Sequence, residues 1–366
     1  MRETVLHGWH VEHGATMTDF NGWHMPLYYK GITEEHVHTR TKAGLFDLGH
    51  MGRVRIGGAG AKDFVDRLTP AQVGQGRVGD VQYSFLLDEA GCVLDDITIY
   101  YDNDALLLVV NAGGRERDLV WIREHAATAK DVEVEDLSDV WGMVAIQGPN
   151  SKAVAQKLFG PDTELPDYYK FVHLDDTIGA GPLVVSGTGY TGERGYEFYL
   201  PQENVAKLWA ALQELDPNAE VMPIGLGARD SLRLEASMPL YGHELTEKTT
   251  PLHAGLSKFV DLDKPMFIGR EPLMKLRQDG APERLVAFEM KQRGPVARQG
   301  FEVKSADGSA LGKVTSGIFS PTLQKVIGMA YVHSDKAKTG TEIQIDVRGR
   351  LHPAIIVKRP FYKRSA

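Results

Sequence analysis

Two adjacent aspartates, Asp95 and Asp96, interrupt a run that otherwise reads as a buried strand, Gly91-Cys92-Val93-Leu94-Asp95-Asp96-Ile97-Thr98-Ile99-Tyr100-Tyr101. Neighbouring side chains on a strand point to opposite faces, so Asp95 goes with Val93, Ile97 and Ile99, and Asp96 with Leu94, Thr98 and Tyr100. A buried carboxylate without a partner is costly or gives up its charge. At least one of the pair therefore needs a dedicated partner: a cationic or N–H-bearing ligand, or an internal Arg or Lys. Three further stretches are dense in polar groups among apolar ones: Phe46 to Arg53, Thr188 to Glu197 with Glu197 on a strand, and Gly225 to Ala236. The last reads as a helix with Arg229 and Arg233 four apart on one face. Carboxylates from strands and an arginine near a Gly-rich helix start can clamp a flat heteroaromatic molecule that has an N–H edge and an acidic tail. An internal salt-bridge network would draw on the same residue types.

Other motifs mislead. Gly187-Thr188-Gly189-Tyr190-Thr191-Gly192 matches GxGxxG literally, but that fingerprint needs a helix after the glycines to receive a pyrophosphate. Here Tyr196-Glu197-Phe198-Tyr199-Leu200 follows and is strand-like, so a tight turn with close backbone approach fits better. His7, His10 and His13 fall three apart, yet Gly8 and Gly14 predict a poor helix, and no metal site is expected. The single Cys92 rules out a disulfide framework and reads as core filler rather than a nucleophile. There is no HExxH, Walker loop or Ser-centred elbow. Chemistry on this chain would rest on electrostatics and positioning.

The elements that must hold these residues follow from periodicity. The 366 residues suggest two or three domains, and the 42 % hydrophobic and 25 % charged content is that of a globular protein. A formal net charge of −8 argues against nucleic acid as a partner. No apolar run approaches the ~20 residues of a membrane span, and Met-Arg-Glu-Thr does not begin a signal peptide. A cytoplasmic protein without membrane contact is expected. The first 50 residues read as irregular apart from a helix over Thr33 to Ala43 ended by Gly44. A helix over Gly60 to Leu68, a hairpin of Val81–Leu87 and Cys92–Tyr101, a strand Ala105–Val110 and a helix around Leu119 to Ala126 come next. The same grammar recurs: strand Trp141–Gln147, a helix capped by Asn150, strands Leu183–Ser186 and Tyr196–Leu200, and a helix striped by Val205, Leu208, Trp209 and Leu212. Two α+β halves of one architecture are expected. After Pro282, regular short strands without helices predict a small β-barrel or sandwich.

Taken together, these stretches resemble the aminomethyltransferase (T-protein) family of the glycine cleavage system. The likeness runs through Asp19 to Tyr29, Phe46 to Arg53, Gly91 to Asp96, Gly189 to Glu197, Gly225 to Ala236, Met238 to Glu244, Phe267 to Glu271 and Thr315 to Leu323. It implies an α+β, three-domain cloverleaf, with two α/β domains over 1–140 and 141–281, a C-terminal β-barrel over 282–366, and folate in a central channel. It implies transfer of a one-carbon unit from the aminomethyl-lipoyl arm of the H-protein to tetrahydrofolate, with ammonia released. Asp96 matches the family's catalytic aspartate and Glu197 a pterin-contacting glutamate. Tyr190 and Arg229 match folate-contacting positions, and Met51, Tyr83, Tyr100, Asn111 and Tyr169 match pocket positions. The chain departs from the family where it has Gly49 in place of a common Ser, and Arg194 in place of an acidic or small residue. A tetrahydrofolate-dependent O- or S-demethylase of the same superfamily is the alternative. The family's iron–sulfur assembly relatives carry a cysteine motif after the second domain, which this chain lacks.

Overall fold

The structure, a computed structural model, describes residues 1–176, 178–215, 221–292 and 294–364. Its chain divides into two compact units, Met1–Ser84 with Ile97–Arg229, and Phe85–Asp96 with Asp230–Ala366.

In the first unit, α1 (His7–Glu12) precedes β1 (Thr16–Phe20), β2 (Trp23–Tyr28), α2 (Ile32–Thr41), β3 (Ala43–Asp47), β4 (Gly52–Gly57) and α3 (Ala61–Leu68). Next come β5 (Val81–Leu87) and β6 (Val93–Tyr101), both running on into the second unit, then β7 (Ala105–Val110), α4 (Arg115–Ala126) and β8 (Glu133–Asp136). The series closes with β9 (Trp141–Gln147), α5 (Ser151–Phe159), β10 (Phe171–Leu174), β11 (Leu183–Ser186), β12 (Gly195–Pro201), α6 (Val205–Glu214), β13 (Val221–Pro223) and the first residues of α7 (Leu226–Glu235).

Two sheets result, in the orders β5-β6-β7-β4-β8 and β10-β11-β12-β9-β3-β13. In each, three consecutive strands form a meander whose last member pairs with the strand that precedes the meander in the chain. A helix follows that preceding strand and another follows the meander, so the repeated element order of the sequence is a repeated topology. The six-stranded sheet buries one face against its helices: Val144 and Ile146 of β9, Phe198 and Leu200 of β12, and Leu208, Trp209 and Leu212 of α6 share one core. Each such side chain contributes about 1.5–3 kcal/mol by leaving water.

The N-terminal 50 residues are more regular than their composition suggests. Phe20 pairs with Trp23, so Asn21-Gly22 forms a two-residue hairpin turn. Both turn residues have positive φ, 51° and 82°, the conformation for which Asn-Gly is favoured. The poor helix expected around His7 does form. Trp9 meets Trp209 edge-on at 5.3 Å and His10 is fully buried, so tertiary packing overrides the cost of Gly8. Helix α2 stops at Thr41, and Gly44 is not its terminator but lies within β3. A Cβ at Gly44 would sit 2.5 Å from Thr39 Oγ1 and 2.7 Å from Ile224 Cγ1, so that glycine serves close packing. Asn150 precedes α5 without making a side-chain cap; instead Ser151 donates to the Arg194 carbonyl at 3.2 Å.

In the second unit, α8 (Arg270–Asp279) precedes β14 (Glu283–Met290), β15 (Glu302–Lys304), β16 (Ala310–Ser320), β17 (Lys325–His333), β18 (Glu342–Val347) and β19 (Arg350–Val357). These six strands close into a barrel in the order β14-β17-β16-β15-β18-β19. Strand β18 displays the period-2 logic: Ile343, Ile345 and Val347 enter the barrel core while Glu342, Gln344 and Asp346 face outward. The hairpin segment Phe85–Asp96, the end of β5, the turn and the start of β6, belongs to this unit, where the Val93 N–H donates to the Thr249 carbonyl at 2.9 Å.

Candidate active site

Strand β12 sends Tyr196, Phe198 and Leu200 into the core, so alternation turns Glu197 and Tyr199 to the opposite face. Glu197 is half-buried there, and its Oε2 accepts from Thr188 Oγ1 at 2.5 Å and from Tyr199 OH at 3.4 Å. Behind them, Tyr100 OH lies 2.7 Å from Tyr199 OH and 3.2 Å from Thr188 Oγ1, and Ser186 Oγ lies 2.8 Å from Thr188 Oγ1. Burial pushes the Glu197 carboxyl above its ordinary range, while the hydroxyl donors and the Arg229 cation pull against that rise. The Arg229 guanidinium stands over the Tyr190 ring at 4.6 Å, a cation–π contact.

The glycine turn before β12 wraps a side chain. A Cβ on Gly189 would collide with the Gln147 amide, which donates from Nε2 to the Thr188 carbonyl at 3.1 Å and accepts from Thr191 Oγ1 at 2.9 Å. No helix follows, as the rejection of a dinucleotide motif requires. The buried Arg40–Glu193 ion pair, 2.8 Å, and an Arg40 bond to the Thr191 carbonyl tie this turn to α2. Arg194 is exposed, so the unusual charge at that position faces solvent.

The Phe46–Arg53 stretch is a scaffold around Met51. Asp47 Oδ2 lies 2.9 Å from His10 Nε2 and accepts from Thr4 Oγ1 at 2.6 Å, and Oδ1 accepts the Gly49 N–H at 2.8 Å. Burial works against the Asp47 charge, but these bonds and the neighbouring His10 hold its carboxyl below the usual range. The other ring nitrogen of His10 lies 2.8 Å from Tyr29 OH. A Cβ on Gly49 would stand 3.1 Å from Asp47 Oδ1 and 3.2 Å from Thr4 Cγ2, so a serine there would require its neighbours to give way. Arg53, 1 % exposed, donates to the Met51 carbonyl at 2.7 Å and to the Ser138 carbonyl. Between them, His50 is fully buried with neither ring nitrogen hydrogen-bonded among the described residues. Burial, with Arg229 nearby, pushes its pKa down to about 3, so this imidazole is neutral at physiological pH.

Glu35 went unnoticed in the sequence and is the residue that seats α7. Its Oε1 accepts the backbone N–H groups of Tyr29, Lys30 and Gly31 at 2.6, 3.0 and 3.3 Å, and its Oε2 accepts the Gly225 N–H at 2.8 Å. A carboxylate at a helix N-terminal end of an otherwise polar segment gives no periodic signal that would have marked it.

In the second unit, Asp95 is fully buried and Asp96 half-buried, the asymmetry that strand alternation requires. Arg233 is fully buried, paired with Glu244 at 2.7 Å and Asp230 at 2.8 Å and bonded to Ser316 Oγ at 2.9 Å. Arg233 on α7 is therefore an internal salt-bridge partner. Met51, Tyr83, Asn111, Tyr169, Tyr190 and Arg229 are half-buried, as Glu197 and Asp96 are, while Tyr100 is 1 % exposed and serves the hydroxyl cluster. Tyr169 holds a φ of 61°, rare for a bulky residue, between backbone bonds to Gly187 and Val81. The half-buried Cys92 thiol is pushed up by burial, which favours the unreactive form. Among the described residues, Glu3, His7 and His24 form a cluster of metal-ligating types, with His7 Nε2 and His24 Nδ1 2.8 Å apart. No helix among the described residues is long and apolar enough to cross a membrane.

Two family models match the chain: the GCVT N-terminal domain over residues 6–264, and the glycine cleavage T-protein C-terminal barrel domain over residues 283–363. An aminomethyltransferase of Synechococcus elongatus is 43 % identical, matching 98 % of this chain and 96 % of its own. One of Geobacillus thermodenitrificans is 42 % identical, matching 100 % of this chain and 99 % of its own. Among solved structures, the glycine cleavage system aminomethyltransferase T of Bartonella henselae superposes with a TM-score of 0.92 at 31 % identity, covering 99 % of this chain and 98 % of that one.

Proposed function

The chain belongs to the aminomethyltransferase (T-protein) family of the glycine cleavage system, and on that premise we propose that it moves the aminomethyl carbon from the lipoyl arm of an H-protein to tetrahydrofolate. The carbon leaves sulfur and nitrogen for N5 and N10 of the acceptor. Ammonia, dihydrolipoyl H-protein and 5,10-methylenetetrahydrofolate are the products, so atoms balance without a redox partner. Cleavage at that carbon develops iminium-like positive charge. The half-buried Asp96 carboxylate is the group assigned to steady it and to hold N10 so that N5 is aimed at the carbon. Glu197 accepts from the N–H edge of the pterin, and Arg229, braced on Tyr190, is a folate-contacting cation in an otherwise acidic chain. Met51, Tyr83, Asn111 and Tyr169 complete the wall, and Tyr100 supports it from behind.

The end-to-end likeness to aminomethyltransferases at 43 % identity carries this reading. The same relatives disfavour the methyl-donor alternative. Aminomethyl-loaded H-protein and tetrahydrofolate, mixed with the chain, should release ammonia in step with methylenetetrahydrofolate. No ammonia, together with 5-methyltetrahydrofolate formed from an O- or S-methyl donor, would reverse the assignment. We also propose domain boundaries at 1–140, 141–281 and 282–366, and a cytoplasmic location.

A further inference from the structure

We infer that Thr188 is the positioning residue for Glu197: its hydroxyl, backed by Ser186, Tyr199 and Tyr100, occupies one carboxylate oxygen and commits the other to the ligand. The inference rests on Glu197 being the pterin contact. Two hydroxyls, Thr188 and Tyr199, lie against Oε2, and two more, Ser186 and Tyr100, stand behind them; each has one proton to give. Thr188 donates to Glu197 at 2.5 Å and Tyr199 donates to it at 3.4 Å, which spends both protons, so Thr188 can only accept from Ser186 at 2.8 Å and Tyr199 can only accept from Tyr100 at 2.7 Å. Every proton then runs toward Oε2, and each donor in the chain polarises the next. Ser186, Tyr100 and Tyr199 are at most 1 % exposed and Thr188 is 6 % exposed, so water does not compete for these protons.

Two consequences separate this arrangement from ordinary packing. First, the carboxylate plane is held by Thr188, so the ligand meets a preoriented acceptor rather than a mobile one. Second, the hydroxyl donors favour the ionised form of a carboxyl that burial otherwise pushes toward protonation. A protonated Glu197 loses acceptor capacity toward N–H groups, so ligand binding should fall on the acid side. The groups facing Glu197 are Tyr100 on β6, Tyr199 on β12 and the Arg229 cation on α7, with Arg53 of β4 acting on Tyr199. Removing the Thr188 hydroxyl takes away the nearest donor and shifts the acid limb to higher pH.

The test measures tetrahydrofolate binding and steady-state kinetics of the full chain across pH, with melting curves as a folding control. Thr188→Val should raise the Kd and KM for tetrahydrofolate about tenfold, the size expected for one hydrogen bond to a charged group. It should leave kcat less affected and move the acid limb of binding upward. Thr188→Ser, which keeps the donor, should restore both values. If Thr188→Val does not fold, Tyr199→Phe carries the test with a smaller shift in the same direction. Wild-type binding and an unmoved acid limb in Thr188→Val, beside weakened binding in Glu197→Gln, overturn the inference alone. Unchanged binding in Glu197→Gln removes the pterin assignment and the inference with it.

Discussion

Asp96 sits beside a fully buried neighbour yet is itself half-buried, which is the position a carboxylate needs if it is to meet a substrate. Replacing it with Asn keeps size and removes charge. Turnover should fall about a hundredfold or more, the range seen when one preorganised electrostatic group is lost, with a smaller change in tetrahydrofolate affinity; rapid-quench and binding measurements separate the two. Glu197 predicts the reverse division, a loss of folate affinity above all. It also has a stability signature. The folded state holds its carboxyl above the ordinary 4.5, so between that value and the raised one the folded chain binds the extra proton. Stability contributed by this group is therefore lost as pH rises through that window. Glu197→Gln cannot ionise. Its ligand-free melting temperature should exceed that of the parent chain at neutral pH and converge with it in acid, and a melting series over pH checks this.

Elements convey the same chemistry through backbone contacts. Helix α7 begins where Gly225 donates to Glu35, the carboxylate that also gathers three N–H groups of the Tyr29–Gly31 turn. Glu35 is fully buried. Glu35→Ala strands four donors, the Gly225 N–H buried and the other three part-buried, and bonds to a charged acceptor are worth about 1.5–3 kcal/mol each. A loss of roughly 3 kcal/mol or more in chemical denaturation is expected, together with weaker tetrahydrofolate binding, because Arg229 lies on the first turn that Glu35 seats. The Asn21-Gly22 turn teaches a related lesson: its hairpin was legible in the dipeptide and was obscured by the surrounding histidines and aromatics.

For the whole molecule, the barrel is the part whose strands are closed on one another by consecutive sequence, Glu283 to Val357. A fragment of residues 282–366 should therefore fold alone, giving a β-type circular dichroism spectrum and a cooperative melt. A fragment of 230–366 that lacks Phe85–Asp96 should behave no better, since that hairpin segment supplies the backbone partner of Thr249 from a distant part of the chain. Periodicity did not mark α1, β1, β2 and β3 in the first 50 residues. It marked the helices and most meander strands of the two halves, their repeated order and the short strands after Pro282, because burial on one face imposes periods of 2 and 3.6 on any chain that makes it. The alternation of Asp95 and Asp96 was determined in the same way. Tertiary structure decided the rest: that β3 joins a sheet built mostly from residues 141–223, that Arg233 is internal while Arg229 meets Tyr190, and that Thr188 and Tyr199, backed by Ser186 and Tyr100, converge on one carboxylate oxygen. Contacts between residues ninety positions apart leave no periodic trace, since nothing local in the chain changes when two distant hydroxyls are brought together.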